Sequence, residues 1–113
     1  MASVRVGPLP DSALEAATAF HRDWLEQVRA AAQHAPEHLT VIFPPADHTH
    51  RGWRLAAVQG VAREHAPKRG DGLENDDGAA IHAALAYVAL ADGLTGQVLP
   101  LDGHGAGKVI HKG

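Results

Sequence analysis

Thr95-Gly96-Gln97-Val98-Leu99-Pro100-Leu101-Asp102-Gly103 follows an alanine-rich segment, and its reading decides the fold. Residues 97–101 form an apolar run bounded by glycines, too short for a helix and suited to a buried strand. Before it, Ile81, Ala84, Leu85 and Val88 recur at helical spacing, which predicts a helix over residues 77–91. Further back, residues 68–77 are polar and rich in glycine and read as a loop. A helix is expected over residues 49–64, with Asp47 or Thr49 as its N-cap and Pro67 beyond its end. Its inward side is expected to carry Trp53, Ala56, Ala57, Gly60, Val61 and Glu64. The patch Ala56, Ala57 and Gly60 permits close helix packing.

Residues 39–43 are a continuous apolar and β-branched run stopped by Pro44-Pro45, the pattern of a strand buried on both faces. Towards the N-terminus, Ser12-x-x-Glu15 is a capping box. Leu14, Ala17, Phe20, Trp24, Leu25, Val28 and Ala31 then recur every three or four residues. One long amphipathic helix is predicted over residues 12–33, stopped by Pro36. Gly7-Pro8-Leu9-Pro10 cannot be helical, and residues 3–6 read as an extended lead. This alternation predicts an α/β protein with a small, few-stranded parallel sheet flanked by three helices.

The closing stretch, taken with Val61-Ala62-Arg63-Glu64-His65-Ala66-Pro67, resembles the end of a short-chain dehydrogenase/reductase. The resemblance is strongest over residues 39–106. It implies a Rossmann-like half domain of two or three layers, in a single domain spanning residues 1–113. Counting back along the helix that carries the family's Tyr-x-x-x-Lys motif places the tyrosine position at Asp47 and the lysine position at Arg51. The family's catalytic serine position falls close to Pro44-Pro45-Ala46. Near neutrality Asp47 has no proton to give, and Arg51 is not a compact ammonium. The family's middle strand falls at Arg69-Gly70-Asp71-Gly72-Leu73, a poor strand by composition. No glycine-rich turn precedes residue 39 in the setting a dinucleotide needs, so no cofactor is expected.

Nine histidines is many for 113 residues. His48 and His50 are the only close pair and the candidate metal ligands, with Asp47 or His104 as a third group. The bland alternative is that they cap a helix or face water. His21, His34, His38, His65, His82 and His111 are scattered and read as solvated or half-buried. Asp47, His50 and Arg51 are the candidate catalytic residues, with His50 as acid/base and Arg51 as anion anchor. Gly103-His104-Gly105-Ala106-Gly107-Lys108 falls one residue short of a phosphate loop and has Val109 in the hydroxyl position.

The formal net charge is −3, from ten basic and thirteen acidic residues, and no basic run exists to track a phosphate backbone. Nucleic acid and membrane partners are therefore not expected. There are no cysteines, which excludes disulfides and thiolate sites. A cytoplasmic protein is the expectation, since neither a signal pattern nor a spanning run is present. The alanine-rich core is light, so association is a natural source of further burial. The leading expectation is a non-catalytic protein that forms a homodimer or tetramer, or serves as a pseudo-subunit of a full-length short-chain dehydrogenase. Trp24, Val28, Trp53, Ala57 and Val61 are the candidate interface residues. The alternatives are a cofactor-independent lyase or isomerase using residues 47–51, and a small-anion binder near Arg51 and Arg54.

Overall fold

The computed structural model describes residues 2–75, 77–90 and 94–100. Four strands form one parallel sheet in the order β1-β2-β3-β4, with β1 at Ala2–Arg5, β2 at His38–Phe43, β3 at Arg69–Glu74 and β4 at Val98–Pro100. Helices α1 (Ala13–Asp23) and α2 (Leu25–His34) connect β1 to β2. A 3-10 turn at His48–His50 and helix α3 (Arg51–Glu64) connect β2 to β3, and α4 (Gly78–Leu90) connects β3 to β4. The α/β class, the parallel sheet and the Rossmann-like layering agree with the sequence reading.

β2 puts alternate residues on opposite faces of the sheet. Leu39, Val41 and Phe43 pack with Phe20, Val28, Ala32, Val58 and Val61 from α1, α2 and α3. Ile42 joins Leu73, Ile81, Ala84 and Val88 on the α4 side. Three layers result. The strands advance in one direction, yet the third connection crosses the opposite face from the first two. Its hand is therefore opposite to theirs, against the usual uniformity of parallel crossovers.

Four expectations are corrected. The lead at residues 3–6 belongs to the sheet: β1 pairs with β2 in the register Ala2↔Leu39 to Arg5↔Ile42. β2 therefore has a neighbour on each side and no open edge. The glycine-rich segment at residues 69–74 is a central strand rather than a loop. Its glycines face α3, and a Cβ at Gly70 would stand 3.6 Å from the Ala62 backbone. At Gly72 it would stand 3.2 Å from Phe43 and Val58, so there the bare backbone lets helix and strand approach closely.

The long first helix is broken at Trp24, whose φ of −119° and ψ of −27° end α1 and begin α2. The indole lies over Gly7, where a Cβ would come within 3.1 Å of the ring. Finally, α3 turns Arg54, Val58 and Val61 inward, while Ala56 is exposed and Glu64 is half exposed. Glu64 faces out to form a two-pronged pair with Arg29 of α2, both bonds at 2.9 Å.

The closing stretch locks β4 to β3. Gly96 has φ +70°, a conformation glycine adopts without strain, and its N–H donates to the Gly70 carbonyl at 2.7 Å. The Thr95 hydroxyl accepts from the Gly70 N–H, and the Asp71 carboxylate accepts from the Gln97 N–H at 3.0 Å. The glycine cluster at residues 103–108 lies outside the described residues.

Candidate functional site

In open α/β sheets ligands bind outside the C-terminal ends of the strands. Here the exits of β1 and β2 are both proline-rich. The Val6 N–H still donates to the Ile42 carbonyl at 2.8 Å, after which the chains part. Residues 8–11 and 44–47, with His50 and Arg54, line a cleft of about 510 Å³. That size lies in the range of small-molecule sites.

Arg54 lines this cleft, and only 1 % of it is exposed. Its Nη1 donates to the Pro44 carbonyl at 2.8 Å and to the Glu74 carboxylate at 3.0 Å. The guanidinium also lies 4.8 Å from the Phe43 ring centre and 5.5 Å from that of Trp53. Delocalised charge suits such stacking, and the pairing with Glu74 makes the burial tolerable. Its Nε is the one buried side-chain nitrogen or oxygen among the described residues without a hydrogen-bond partner.

His50 is buried, and both ring nitrogens are engaged. Nδ1 accepts from the Trp53 indole N–H at 3.1 Å, so the proton sits on Nε2, which donates to the Asp11 carbonyl at 2.8 Å. The ring ties the exit of β1 to the start of α3, and neither nitrogen is left for acid/base work in this conformation. Asp47 is exposed and accepts from the hydroxyl and the backbone N–H of Thr49. These bonds, the hydroxyl one first, hold its carboxyl below the usual range. Arg51 is exposed at the first position of α3 and does not line the cleft. His48 is exposed as well, and the described residues contain no cluster of three metal-ligating side chains. His104 lies outside the described residues.

The structure thus brings Asp47 and His50 to one cleft and leaves Arg51 and His48 outside it. Of the pair expected to hold a small anion, Arg54 alone lines the cleft, as its buried cation, and Asp11 is added as a second carboxylate at the mouth. Of the candidate interface residues, Val28 and Val61 belong to the chain's own core, while Trp24, Trp53 and Ala57 pack partly buried against it.

A model of short chain dehydrogenase-like proteins matches residues 4–101 of the 113. The chain belongs to this short chain dehydrogenase-like family. The match begins inside β1, so the first βαβ unit is part of the shared architecture, earlier than the resemblance at residue 39 suggested. No curated protein and no solved structure matches significantly.

The family name implies a nicotinamide dinucleotide, and the described residues do not fit one. The turn after β1 has a single glycine, Gly7, and its missing side chain admits the Trp24 ring rather than a phosphate. Pro8 and Pro10 carry no N–H to donate. The first turn of α1 is capped by Ser12, which accepts from the Glu15 N–H, and Glu15 adds an acidic group there. A pyrophosphate seeks free donors and a positive helix end. The strand order β1-β2-β3-β4 also contains no reversal, the place where such sheets open a dinucleotide crevice. Among the described residues, no helix is long and apolar enough to cross a membrane.

Proposed function

We propose that this family member carries out no hydride transfer and acts by association, foremost with a second copy of itself, through the outer faces of α1–α2 and α3. The observation that carries this reading is a line of apolar and small residues left uncovered on the outer faces of α1–α2 and α3. Leu14 is 79 % exposed, on the line of α1–α2 that runs past His21 to Leu25. Beside that line, Leu25, Ala56, Ala57 and Gly60 line a groove of about 350 Å³ between the helix pair and α3. A Cβ at Gly60 would meet nothing within 4 Å. Small residues let a second helix approach closely, and a twofold contact sets the same groove on both copies.

The absence of redox chemistry rests on Asp47 and Arg51. Counted back along α3, the resemblance sets them near the family's tyrosine and lysine positions, where they supply neither a phenol nor an ammonium. A full-length dehydrogenase presenting the same two helices is the other partner this surface suits. The lyase or isomerase alternative has less support, because both nitrogens of His50 are committed to structural bonds.

The chain has no cysteine, so a single one can report contact. Gly60→Cys is expected to form a disulfide-linked dimer rapidly on mild oxidation, while Ser3→Cys, on the exposed side of β1, stays unlinked under the same conditions. Equal, slow linkage of both variants would contradict the reading.

A further inference from the structure

A further cavity, of about 470 Å³, opens at the opposite edge of the sheet, between the last turns of α3, the start of β3 and the turn that leads into β4. Its size lies within the range of small-molecule sites. Ala62, Ala66 and Pro67 give it apolar walls, and the Gln59 side chain lies across Gly96, its Cγ 3.4 Å from where a Cβ would stand. No aspartate or glutamate lines it, and its donors are unspent. The side-chain amides of Gln59 and Gln97 and the guanidinium of Arg63 have no partner among the described residues. The Thr95 hydroxyl oxygen accepts from the Gly70 N–H at 3.1 Å, which leaves its own proton to donate. At the end of α3 the acceptors are taken: the Val61, Arg63 and His65 carbonyls receive the N–H groups of His65, Ala66 and Lys68. The Lys68 ammonium bonds to the neutral carbonyls of Ala32 and Gln33, so its charge also meets no carboxylate there. Glu37 borders Lys68 in the neighbouring depression and does not line this cavity. Unmatched positive charge and open donors beside apolar walls suit a ligand with an anionic head and an apolar body.

We infer that this cavity binds a small organic monocarboxylate with a compact apolar body. The carboxylate accepts from the Arg63 guanidinium at the rim, the Thr95 hydroxyl and the Gln97 amide, and the body lies against Ala62, Ala66 and Pro67. Thr95 and Gln97 are held in place for this by the bond from Gly70 to Thr95 and the bond from the Gln97 N–H to Asp71. The site shares no lining residue with the groove between α1–α2 and α3, so it stands or falls apart from the association reading.

The test uses benzoate at neutral pH, which has the carboxylate and a compact ring. Binding is followed by the backbone amide resonance of Gly96, which lines the cavity and donates to the Gly70 carbonyl. A saturable shift is expected, while the indole N–H resonance of Trp53, bonded to His50 elsewhere in the molecule, stays in place. Benzamide, which keeps the ring and loses the charge, binds about fivefold more weakly, and acetate, which lacks the ring, more than about tenfold more weakly. Arg63→Gln, at an exposed position, weakens benzoate about fivefold, and adding Gln97→Ala brings the loss to more than about tenfold. Arg51→Ala leaves binding unchanged. The proposal is overturned by the absence of a saturable Gly96 shift at millimolar benzoate, by benzylamine producing the same shift, by sulfate binding as tightly as benzoate, or by Arg63→Gln binding benzoate like the parent.

Discussion

The imidazole Nε2 of His38 lies 3.0 Å from the Asp71 carboxylate, across two adjacent strands and buried from solvent. The other ring nitrogen is 3.4 Å from the Thr40 hydroxyl, and the second Asp71 oxygen takes the Gln97 N–H at 3.0 Å. β2, β3 and β4 are thus joined through a single carboxylate. Asp71→Leu strands a buried imidazole N–H and a backbone N–H together, and a loss of about 3–5 kcal/mol is expected. Asp71→Asn keeps an acceptor oxygen and should cost about 1–2 kcal/mol. Equilibrium denaturation measures both. Equal losses would mean that side-chain volume, and not the hydrogen bonds, is what matters at this position.

The two glycines of β3 should respond differently to alanine. At Gly72 a Cβ would stand 3.2 Å from Phe43 and Val58 and 3.3 Å from Val98, so Gly72→Ala should destabilise by about 1–3 kcal/mol. At Gly70 the nearest atoms are at 3.6 Å, an ordinary contact, and Gly70→Ala should lie within about 0.5 kcal/mol of the parent. Thermal melts of the pair give the contrast directly.

Arg29 and Glu64 clamp α2 to α3 at the surface. The hydrogen bond from Arg29, aided by its charge, lowers the Glu64 pKa from its ordinary 4.5. A lowered folded-state pKa stabilises above the unfolded value and ceases to do so as pH falls through the folded one. The melting temperature of Glu64→Gln should therefore lie below that of the parent at neutral pH, and the gap should close under acid conditions below 4.5. A gap that is constant with pH would show that the clamp acts without its charge.

What the sequence displayed and what it hid follow from the range of the interactions. β2 and α3 were legible because an apolar run and proline stops are local signals. β1 was missed because Ser3 and Arg5 point to the exposed side of a short edge strand, which in sequence looks like an extended lead. β3 was discounted for its glycines and aspartate, whose justification lies in α3 above it and in His38, 33 residues earlier. Arg54 was overlooked as an inward residue because burying a guanidinium makes sense only beside Glu74 and the Phe43 ring. The one local hint was the aromatic Trp53 next to it. The break at Trp24 has neither proline nor glycine in the helix to announce it, and the space that its ring occupies is left by Gly7 on a distant turn.

The most direct test of association is the molar mass of the purified chain by light scattering over a dilution series, with Gly60→Glu measured alongside. The account predicts about twice the chain mass of 11.9 kDa for the parent, and the single-chain mass with a melt that stays cooperative for the variant. A parent chain that stays at the single-chain mass at every concentration, with a cooperative melt, would contradict it.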